Sequence, residues 1–374
     1  VNNPFTGQLL AEVSNAGSAD AETAIQSTVE AAVAMGALPS HARYHALQKV
    51  AGGLYDRREE FARLLTAEAG KPITDAKREV NRAVQTFTIA AEEARRIPGE
   101  VIPLDWTPGT DSHLGILRRV PIGPVLGITP FNFPLNLVAH KVAPALAAGN
   151  SILIKPAPQT PLTALLLGEV VLGAGLPPGA VNILPCDNGT AEQLVVDPRF
   201  KLLSFTGSAA VGWVLKGKCG KKKVVLELGG NAGVIVEPDA DIELAAQRCA
   251  VGGFGYAGQT CISVQRIFVH HSIVDLFTTK FLFQVARLKA GDPSDDTTVV
   301  GPLIDPAASH RLETWVEEAV SQGARVLLGG KRMGSVMEAT VLSHVTPTMK
   351  VSCQEVFGPV VTVTPYRHFG EAIT

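Results

Sequence analysis

One cysteine in a glycine-rich stretch has the type and the setting that suit covalent chemistry. Cys261 ends the sequence Gly258-Gln259-Thr260-Cys261 and follows a segment, 252–258, that is rich in glycine and therefore conformationally free. A thiolate is a strong nucleophile, so this residue is a candidate for bonding to a substrate carbon. The alternative is the usual one for cysteine, a small buried hydrophobic side chain, and it is the expectation for the remaining four: Cys186, Cys219, Cys249 and Cys353.

A carboxylate and an amide lie in settings that favour roles in the same chemistry. Glu227 falls between two leucines in a predicted strand, where burial of a charge costs free energy unless the group has a partner or a task. Asn132 lies among prolines and aromatic residues in the segment 129–134, which suits a fixed hydrogen-bond donor. The alternatives are a structural ion pair for Glu227 and a turn role for Asn132.

Two other segments suit the binding of a dinucleotide. Thr206, Gly207 and Ser208 follow a predicted strand at 202–205, where a glycine lets the backbone approach a pyrophosphate and the next helix presents free N–H groups. The spacing is not the full glycine fingerprint, so a plain glycine-rich turn is an equal alternative. Lys155 closes a predicted buried strand at the edge where parallel sheets bind ligands, and its alternative is an ordinary exposed charge.

The elements that would position these residues alternate regularly. Helical periodicity predicts helices in the first third, and short β-branched runs between amphipathic stretches predict a parallel sheet built by βαβ crossovers. The predicted helices are 20–36, 41–70, 75–96, 137–148, 160–173, 242–254, 274–288 and 307–322, and the predicted strands are 115–120, 125–129, 151–155, 181–184, 202–205, 223–227, 232–236 and 264–269. The fold class is therefore α/β, with two domains, 1–229 and 230–374, that meet close to Gly229.

Composition excludes several classes of function. The chain of 374 residues is 46% apolar and too long for one ordinary core, and its net charge of -2 without a basic stripe disfavours nucleic-acid binding. Apolar runs stop well short of a membrane span, and the first residues show neither the basic nor the apolar part of a signal peptide. The 5 cysteines include no CxxC pair, so we expect no metal site, no disulfide framework, and reduced thiols in the cytoplasm.

Taken together, these segments resemble the aldehyde dehydrogenase superfamily across nearly the whole chain. The motifs that carry the resemblance, in the family's order, are Asn3-Pro4-Phe5-Thr6-Gly7, Pro121-Ile122-Gly123-Pro124-Val125, Phe131-Asn132-Phe133-Pro134, Lys155-Pro156, Phe205-Thr206-Gly207-Ser208, Leu226-Glu227-Leu228-Gly229-Gly230, Gly258-Gln259-Thr260-Cys261 and Glu355-Val356-Phe357-Gly358-Pro359. The resemblance implies a Rossmann-like cofactor domain with part of a bridging hairpin near 104–120, and a second α/β domain that carries the thiol. Chains of this family normally continue well past 359, so we expect that second domain to be incomplete at its C-terminal end here.

The resemblance also implies a mechanism and a cofactor, NAD or NADP. The thiolate of Cys261 would attack an aldehyde carbon, and the amide of Asn132 with the cysteine's own backbone N–H would stabilise the oxyanion. Hydride transfer to the nicotinamide would leave a thioester. Glu227 would then activate water as a general base whose pKa is expected to be raised by burial. Lys141 matches a family lysine near the amide, with a plain helix-surface charge as its alternative.

Cofactor contacts are implied for a further set of positions. Lys155 matches a lysine at the adenosine ribose, and Glu355 and Phe357 match residues that hold the nicotinamide ribose and ring. The whole expected set is Pro130, Phe131, Lys155, Pro158, Thr206, Gly207, Ser208, Gly229, Glu355 and Phe357. Pro158 stands where many NAD-preferring relatives carry Glu, so a 2'-phosphate is repelled less, and we expect use of NADP or of both cofactors.

Helix spacing from Asn132 places further side chains near the reactive carbon. Asn136 and His140 fall on that face, together with Phe133 next to the amide. Two polar groups there favour a short polar aldehyde such as lactaldehyde or glycolaldehyde, as in the lactaldehyde dehydrogenase branch that the chain resembles. The alternative is that both side chains bond only to protein. Thr260 is uncharged and gives no support for an anionic substrate anchored at that position.

Two rival functions have specific arguments against them. An enzyme of the same fold that passes the thioester to coenzyme A usually lacks the base that Glu227 supplies. A non-catalytic member of the family would need none of Cys261, Glu227 and Asn132, yet the chain keeps all three. The partners expected are therefore a small aldehyde and a second copy of the chain, as a homodimer or homotetramer joined through the hairpin.

Overall fold

The computed structural model describes residues 1–373, which form two compact units. The first unit comprises Val13–Phe61 and Glu79–Glu227, and the second comprises Val1–Glu12, Ala62–Arg78 and the chain from Leu228 onward. The chain thus passes between the units at several points. The change at Leu228 lies where the sequence indicated one, whereas the assignment of roles to 1–229 and 230–374 stays a prediction.

Each predicted helix is present near its expected bounds, and one of them is broken in two. The bounds of the helices are α1 Ser18–Ala37, α2 Ser40–Asp56, α3 Arg58–Ala69, α4 Ile73–Ala94, α5 Asn136–Ala147, α6 Leu162–Leu172, α7 Asn188–Val196, α8 Ala209–Lys218, α9 Ile242–Phe254, α10 Val274–Ala286, α11 Pro306–Ser321, α12 Lys350–Cys353 and α13 Phe369–Ile373. Of these, α7, α8, α12 and α13 were not predicted. The helix predicted over 41–70 is two helices, because the backbone of Arg57 leaves the helical region at φ -97 and ψ 17. A short 3₁₀ turn, Gly255–Gly258, follows α9.

The strands include several that periodicity did not indicate. Their bounds are β1 Glu100–Pro103, β2 Leu114–Leu117, β3 Val125–Ile128, β4 Ile152–Lys155, β5 Val181–Ile183, β6 Leu202–Thr206, β7 Lys223–Glu227, β8 Ala232–Val236, β9 Val264–His270, β10 Lys289–Ala290, β11 Thr298–Val300, β12 Arg325–Leu328, β13 Arg332–Met333, β14 Val336–Met337, β15 Thr340–Ser343 and β16 Val360–Tyr366. The last strand predicted from the sequence corresponds to β9, and the last predicted helix to α11. The structure shows that the α/β pattern continues beyond them, with strands β10 to β16.

The first unit is built on a five-stranded parallel sheet in the order β5-β4-β3-β6-β7. The first strand along the chain, β3, thus lies in the middle, and the connections run outward from it in both directions. This is the doubly wound order, in which ligands bind at the carboxyl edge where the direction of winding reverses. That switch point lies between β3 and β6. Strands β3 and β4 are buried along their whole length, as expected from sequences that are apolar except for Lys155 at the end of β4.

The second unit contains another five-stranded sheet, in the order β12-β15-β16-β9-β8. All of its pairings are parallel except that of β12 with β15, which places an antiparallel strand at one edge. Its core is aliphatic and aromatic, with Phe254, Phe277 and Phe281 fully buried. The ring centroids of Phe277 and Phe281 lie 5.6 Å apart in a stacked arrangement.

A separate hairpin, β1–β2, projects from the first unit's chain. Its strands pair antiparallel from Glu100 with Leu117 to Pro103 with Leu114, so it begins before the range 104–120 that the sequence indicated. None of the helices in residues 1–373 combines the length and the apolar character needed to cross a bilayer. Over the same residues no group of His, Cys, Asp or Glu is arranged to bind a metal ion.

Candidate active site

Asn132 lies at the switch point of the first unit's sheet. It follows β3 within the loop 129–135, and its side chain is buried. The loop leads directly into α5, and the two are fixed by Glu79 of α4, whose Oε1 accepts hydrogen bonds of 3.0 Å from the backbone N–H groups of Leu135 and Asn136. A carboxylate at this position also interacts favourably with the positive end of the α5 dipole. Asn132 thus lies in a loop that a second helix holds in place, and its catalytic role stays a prediction.

Lys141 of α5 is a buried cation whose side chain lies against the middle strands of the sheet. Its Nζ donates hydrogen bonds to Ser204 Oγ at 3.1 Å and to Thr206 Oγ1 at 2.8 Å, both on β6. Gly127 of β3 makes the path possible, because a Cβ there would lie 3.2 Å from Lys141 Cδ and 2.5 Å from Ile154 Cδ1. Burial lowers the pKa of Lys141 to about 8, and the charge of Glu227 offsets part of that effect. The alternative of a plain surface charge for Lys141 is therefore wrong.

Glu227 ends β7, in register with Thr206 on the neighbouring strand. Its side chain is exposed, so the predicted burial of this carboxylate is wrong. The reason is topological, because β7 is the edge strand of its sheet and carries alternating exposed side chains along its length. Thr206, its partner in the register, accepts the hydrogen bond of Lys141, so the end of β7 nevertheless lies close to the lysine.

The carboxyl end of β4 carries a second buried lysine, Lys155. Lys155 is only 5% exposed, which excludes the ordinary exposed charge. Burial lowers the pKa of Lys155, while Cys186 and Asp187, which follow β5, raise it. Pro158 lies three residues further on and is exposed. A desolvated ammonium at this edge suits the hydroxyl or phosphate oxygens of a nucleotide.

The turn after β6 has the geometry of a helix N-terminus open to an anion. Ser208 is the N-cap of the ten-residue helix α8, and its Oγ accepts from the N–H of Val211 at 3.4 Å. The preceding Gly207 donates its N–H to the carbonyl of Glu227 at 3.0 Å, which ties the turn to the end of β7. Free N–H groups at the start of α8 can meet a pyrophosphate there. The dinucleotide reading thus fits the switch point, Lys155 and this turn together.

The loops around Asn132 also hold the other predicted contacts of the first unit. The carbonyl of Phe131 accepts a 3.4 Å hydrogen bond from the Thr160 hydroxyl, and Pro130 is half-buried beside it. The carbonyl of Phe133 accepts from the N–H of Leu137 at 3.0 Å, inside the first turn of α5. These contacts fix the loop's backbone on both sides of the amide.

The two predicted substrate residues have different surroundings. Asn136 is 2% exposed, and its Oδ1 has no hydrogen-bond partner among residues 1–373. A buried acceptor left in this way calls for a ligand or a water. His140 reaches the surface one turn later, where desolvation and then the charges of Arg82 and Lys141 lower its pKa.

In the second unit, Cys261 is exposed and follows a strained turn. Tyr256, Ala257 and Gly258 have φ values of 50, 52 and 68, three successive residues in the left-handed region. For a residue with a side chain this costs about 1–2 kcal/mol, and such strain concentrates at functional sites. Gly258 has no freedom to change, because a Cβ there would meet the carbonyl of Gly358.

Buried contacts hold that turn in place. The hydroxyl of Tyr256 donates to the carbonyl of Ala69 at 3.1 Å, and the Nζ of the fully buried Lys71 lies 4.4 Å from the centre of its ring. Gln259, 1% exposed, accepts from the N–H of Ile304 at 3.0 Å and donates to the carbonyl of Pro302 at 3.3 Å. The sequence analysis identified Cys261 but not the residues that anchor its turn. Gln259 could have been found, because it lies two residues before the cysteine in the same motif.

The other cysteines differ from Cys261 in their surroundings. Burial raises the pKa of the thiols of Cys186 and Cys219, and that of Cys249 to about 11, so the prediction of inert buried side chains is confirmed for these three. Cys353 is exposed, contrary to the prediction, because it ends the short surface helix α12.

A second glycine-dependent contact holds Glu355. Its Oε1 accepts from the N–H of Gly230 at 3.1 Å, and a Cβ on Gly229 would collide with the same carboxylate. Burial raises the pKa of Glu355, while the Gly230 hydrogen bond and Arg311 lower it. Phe357, two residues on, takes the left-handed conformation at φ 52. The predicted contacts of the second unit thus lie on one strained segment of backbone.

Buried Gln265 of β9 fixes that segment, a role that the sequence did not indicate. Its Oε1 accepts from the N–H of Val356 at 2.8 Å, and its Nε2 donates to the carbonyl of Gln354 at 2.6 Å. Arg311 adds a 2.8 Å hydrogen bond to the carbonyl of Val356. The sequence offered little signal for this role, because Arg266 and His270 are also polar residues of the same strand.

Comparison with known proteins agrees with this architecture. The profile of the Aldehyde dehydrogenase family matches residues 1–374. A 3-sulfolactaldehyde dehydrogenase from Priestia aryabhattai is 44% identical over 375 residues, covering 100% of this chain and 78% of the relative. The crystal structure of aldehyde dehydrogenase 21 from Physcomitrella patens in complex with the reaction product succinate superposes with a TM-score of 0.96 at 46% identity, covering 100% of this chain and 78% of that one.

A further solved structure extends the likeness. The NADP-dependent glyceraldehyde-3-phosphate dehydrogenase from Bacillus halodurans C-125, complexed with NADP, gives a TM-score of 0.97 at 34% identity, covering 100% of this chain and 79% of that one. The chain therefore belongs to the aldehyde dehydrogenase family. It is an NAD(P)-dependent oxidoreductase that acts on aldehydes, with the fold that its sequence motifs indicated.

Proposed function

We propose that this enzyme oxidises a short aldehyde carrying a second polar group to the carboxylic acid, through a thiohemiacetal and a thioester on Cys261. The observation that carries the proposal is the exposure of Cys261 after a strained, anchored turn, while three other thiols are buried with raised pKa values. Only a thiol that solvent and substrate can reach is able to act as a nucleophile.

The first step forms a carbon–sulfur bond. The thiolate of Cys261 adds to the carbonyl carbon, and the carbonyl electron pair moves to oxygen. The side-chain amide of Asn132 and the backbone N–H of Cys261 donate hydrogen bonds to that oxyanion, which stabilises a charge absent from the bound aldehyde. The buried loop of Asn132, fixed by Glu79, favours a donor that needs no reorganisation.

The second step leaves a thioester and the third releases the acid. A nicotinamide cofactor, held by the residues named below, would supply the hydride acceptor that the tetrahedral adduct on Cys261 needs as its carbonyl re-forms. Glu227 then takes a proton from water, the hydroxide adds to the thioester, and the thiolate of Cys261 leaves. The exposure of Glu227 gives its carboxylate access to water.

The first unit holds the cofactor in this proposal. Lys155, Thr206, Gly207 and Ser208 lie on the carboxyl edge of its doubly wound sheet, where dinucleotides bind in such sheets. The resemblance to the family assigns the nicotinamide contacts to Glu355 and Phe357 of the second unit. Exposed Pro158 provides no carboxylate against a 2'-phosphate, and the similar glyceraldehyde-3-phosphate dehydrogenase is NADP-dependent. We therefore propose NADP, or both cofactors, for this enzyme.

The substrate's second polar group is anionic in our proposal. The similar proteins act on sulfolactaldehyde or glyceraldehyde 3-phosphate, or release succinate, and each of these molecules carries a charged group beside the reacting carbon chain. In this chain, the positive charges of Arg82 and Lys141 act on His140 more strongly than the opposing charges of Glu227 and Glu79. Arg82 is the exposed cation of this group, so we assign it to the anionic end of the substrate. The unpartnered Oδ1 of Asn136 adds an acceptor for a hydroxyl group.

A panel of aldehydes tests the proposal on the full-length protein. Succinate semialdehyde, lactaldehyde and hexanal are compared by kcat/KM, with NADP and NAD, in the presence and absence of coenzyme A. We expect the acid as product without coenzyme A, and the order anionic over hydroxylated over aliphatic. Arg82→Ala should reduce kcat/KM for the anionic aldehyde at least tenfold and leave hexanal unchanged, with exposed Arg78→Ala as the control. A preference for hexanal would contradict the substrate class.

We also propose that the enzyme is a homo-oligomer joined through the hairpin, in a reducing, cytoplasmic compartment. The paired residues Val101 and Ile116 expose 65% and 71% of their surfaces, which is costly for apolar side chains in water. All five cysteines are free thiols. Sedimentation of the full-length protein should show a dimer or tetramer that Val101→Asp with Ile116→Asp dissociates; a monomeric wild type would contradict this.

A further inference from the structure

A small cavity in the first unit concentrates positive charge away from the residues discussed above. Its volume is about 240 Å³, and its lining includes Arg43, Arg95, Arg118 and Arg119 but no aspartate or glutamate. The chain as a whole has a net charge of -2, so this grouping is not a reflection of a basic protein. Arg95 has an ion-pair partner in Glu92, which does not line the cavity, whereas Arg43, Arg118 and Arg119 have none among the residues that the structure describes. Like charges around one cavity repel each other unless an anion lies between them.

Arg43 shows the clearest sign of a missing counter-charge. Burial lowers the pKa of its guanidinium, and no carboxylate acts on it to offset that effect. Its Nε is shielded from solvent and has no hydrogen-bond partner among the residues that the structure describes. A desolvated cation without a partner costs free energy, and an anion in the cavity removes that cost.

The fold holds two of the arginines in place. Gly149, at φ +80, leaves room for Arg43, because a Cβ there would lie 2.7 Å from Nη1. The guanidinium of Arg95 stacks 3.7 Å from the centre of the Tyr44 ring, and its Nη2 pairs with Glu92 at 2.7 Å. Two donors of the cavity are therefore pre-positioned, which reduces the entropy lost on binding.

The other two arginines come from the segment that leaves the hairpin. Arg118 and Arg119 directly follow β2 and are exposed, so their side chains are able to turn toward a ligand. Ser40, in the first turn of the seventeen-residue helix α2, also lines the cavity and adds the positive end of a helix dipole.

We propose that this cavity is a binding site for a phosphate group. Guanidinium forks match tetrahedral oxyanions, and a dianion balances several of these charges where a carboxylate balances one. The volume lies below the roughly 300–1,000 Å³ of sites for larger ligands, so the site takes the phosphate itself rather than a whole nucleotide. The source is either inorganic phosphate or the phosphate of a small monoester.

Titration calorimetry on the full-length protein saturated with NADP, which fills the proposed dinucleotide site, tests the cavity. The probes are inorganic phosphate and glycerol 3-phosphate at millimolar concentration, with ionic strength held constant by chloride. We expect one site per chain, and at least tenfold weaker binding in the double variant Arg118→Ala/Arg119→Ala. The matched control, Arg58→Ala/Arg63→Ala, removes two exposed arginines elsewhere and should bind as the wild type does.

The two probes distinguish the source of the phosphate. Binding of both shows that the free ion suffices, and binding of glycerol 3-phosphate alone shows that a monoester is required. Arg118→Lys/Arg119→Lys should retain part of the affinity, because it keeps the charge and loses the fork. The proposal is overturned if neither probe binds, or if the alanine double variant, folded by its Tm, binds as tightly as the wild type.

Discussion

The Nζ of Lys141 donates a 2.8 Å hydrogen bond to Thr206 Oγ1, across the middle of the first unit's sheet. This bond joins α5, which begins directly after the loop of Asn132, to the strand that pairs with Glu227. Gly127 of β3 makes room for this bond, because a Cβ there would lie 3.2 Å from the Cδ of Lys141. One buried cation thus links the proposed oxyanion donor and the proposed base through the fold.

The stability of the protein should depend on the protonation of Lys141. Burial lowers its pKa from 10.5, the value for a solvated lysine, to about 8 in the folded protein. Between these two pH values the unfolded chain therefore binds more protons than the folded one. The free-energy cost of burying the charged ammonium is fully present below pH 8. It decreases as the pH rises toward 10.5, so the folded state becomes more stable over that range. Relative to Lys141→Met, the wild type should gain about 3 kcal/mol of unfolding free energy over that interval, since each pKa unit is worth about 1.4 kcal/mol.

Urea unfolding of both proteins at intervals from pH 7.5 to 10 measures this difference. Exposed Lys223→Met serves as the control and should follow the wild type at every pH. Curves for wild type and Lys141→Met that stay parallel across the range would show that Lys141 titrates normally.

Gln259 should act as a positioning residue for the nucleophile. Gln259→Leu leaves the N–H of Ile304 and the carbonyl of Pro302 without their partner, which costs about 1–3 kcal/mol for each buried group. The turn 255–258 should relax, so kcat should fall at least tenfold while KM for the cofactor changes little. Gln259→Glu keeps the acceptor for Ile304 and should fall between. If Gln259→Leu lowers the free energy of unfolding but leaves kcat unchanged, the residue only supports the fold.

Cofactor preference should respond to one exposed position. Pro158→Glu places a carboxylate where it repels a 2'-phosphate and accepts a hydrogen bond from a 2'-hydroxyl. We expect kcat/KM with NADP to fall at least tenfold and that with NAD to hold or rise. Gln159→Glu adds the same charge one residue away and is the control. A wild type that prefers NAD more than a hundredfold would refute the expectation from the start.

Asn132 should matter for the rate more than for binding. Loss of one oxyanion donor typically costs a factor of about 10²–10³ in kcat. Asn132→Ala should show that loss with KM for the aldehyde nearly unchanged, measured by steady-state kinetics. Asn136→Ala, four residues on, should instead raise KM for hydroxylated aldehydes. A rise in KM alone for Asn132→Ala would assign it to substrate binding.

The sequence indicated the catalytic candidates because their chemistry is local. A thiol after glycines, an amide among prolines and a lysine closing a buried strand are visible without a structure, and Lys155 is indeed buried. The alternation of strands and helices likewise predicted the α/β class, since periodicity reports burial directly.

What the sequence missed depends on contacts distant along the chain. Gln265 supports Val356 from 91 residues away, and Glu79 anchors Leu135 from 56 residues away. The exposure of Glu227 follows from strand order, because only the topology makes β7 an edge. The break at Arg57 turned one predicted helix into two, and no residue there differs enough in helix propensity to signal it.

The most direct test of the account is to trap the thioester. In Glu227→Gln the base is lost but the nucleophile remains, so one turnover with aldehyde and cofactor should leave an acyl group on the protein. Mass spectrometry of the digested protein should find that mass on the peptide containing Cys261 and not on the exposed Cys353, with one equivalent of reduced cofactor formed. Full turnover by Glu227→Gln, or an acyl group on Cys353 instead, would contradict the mechanism.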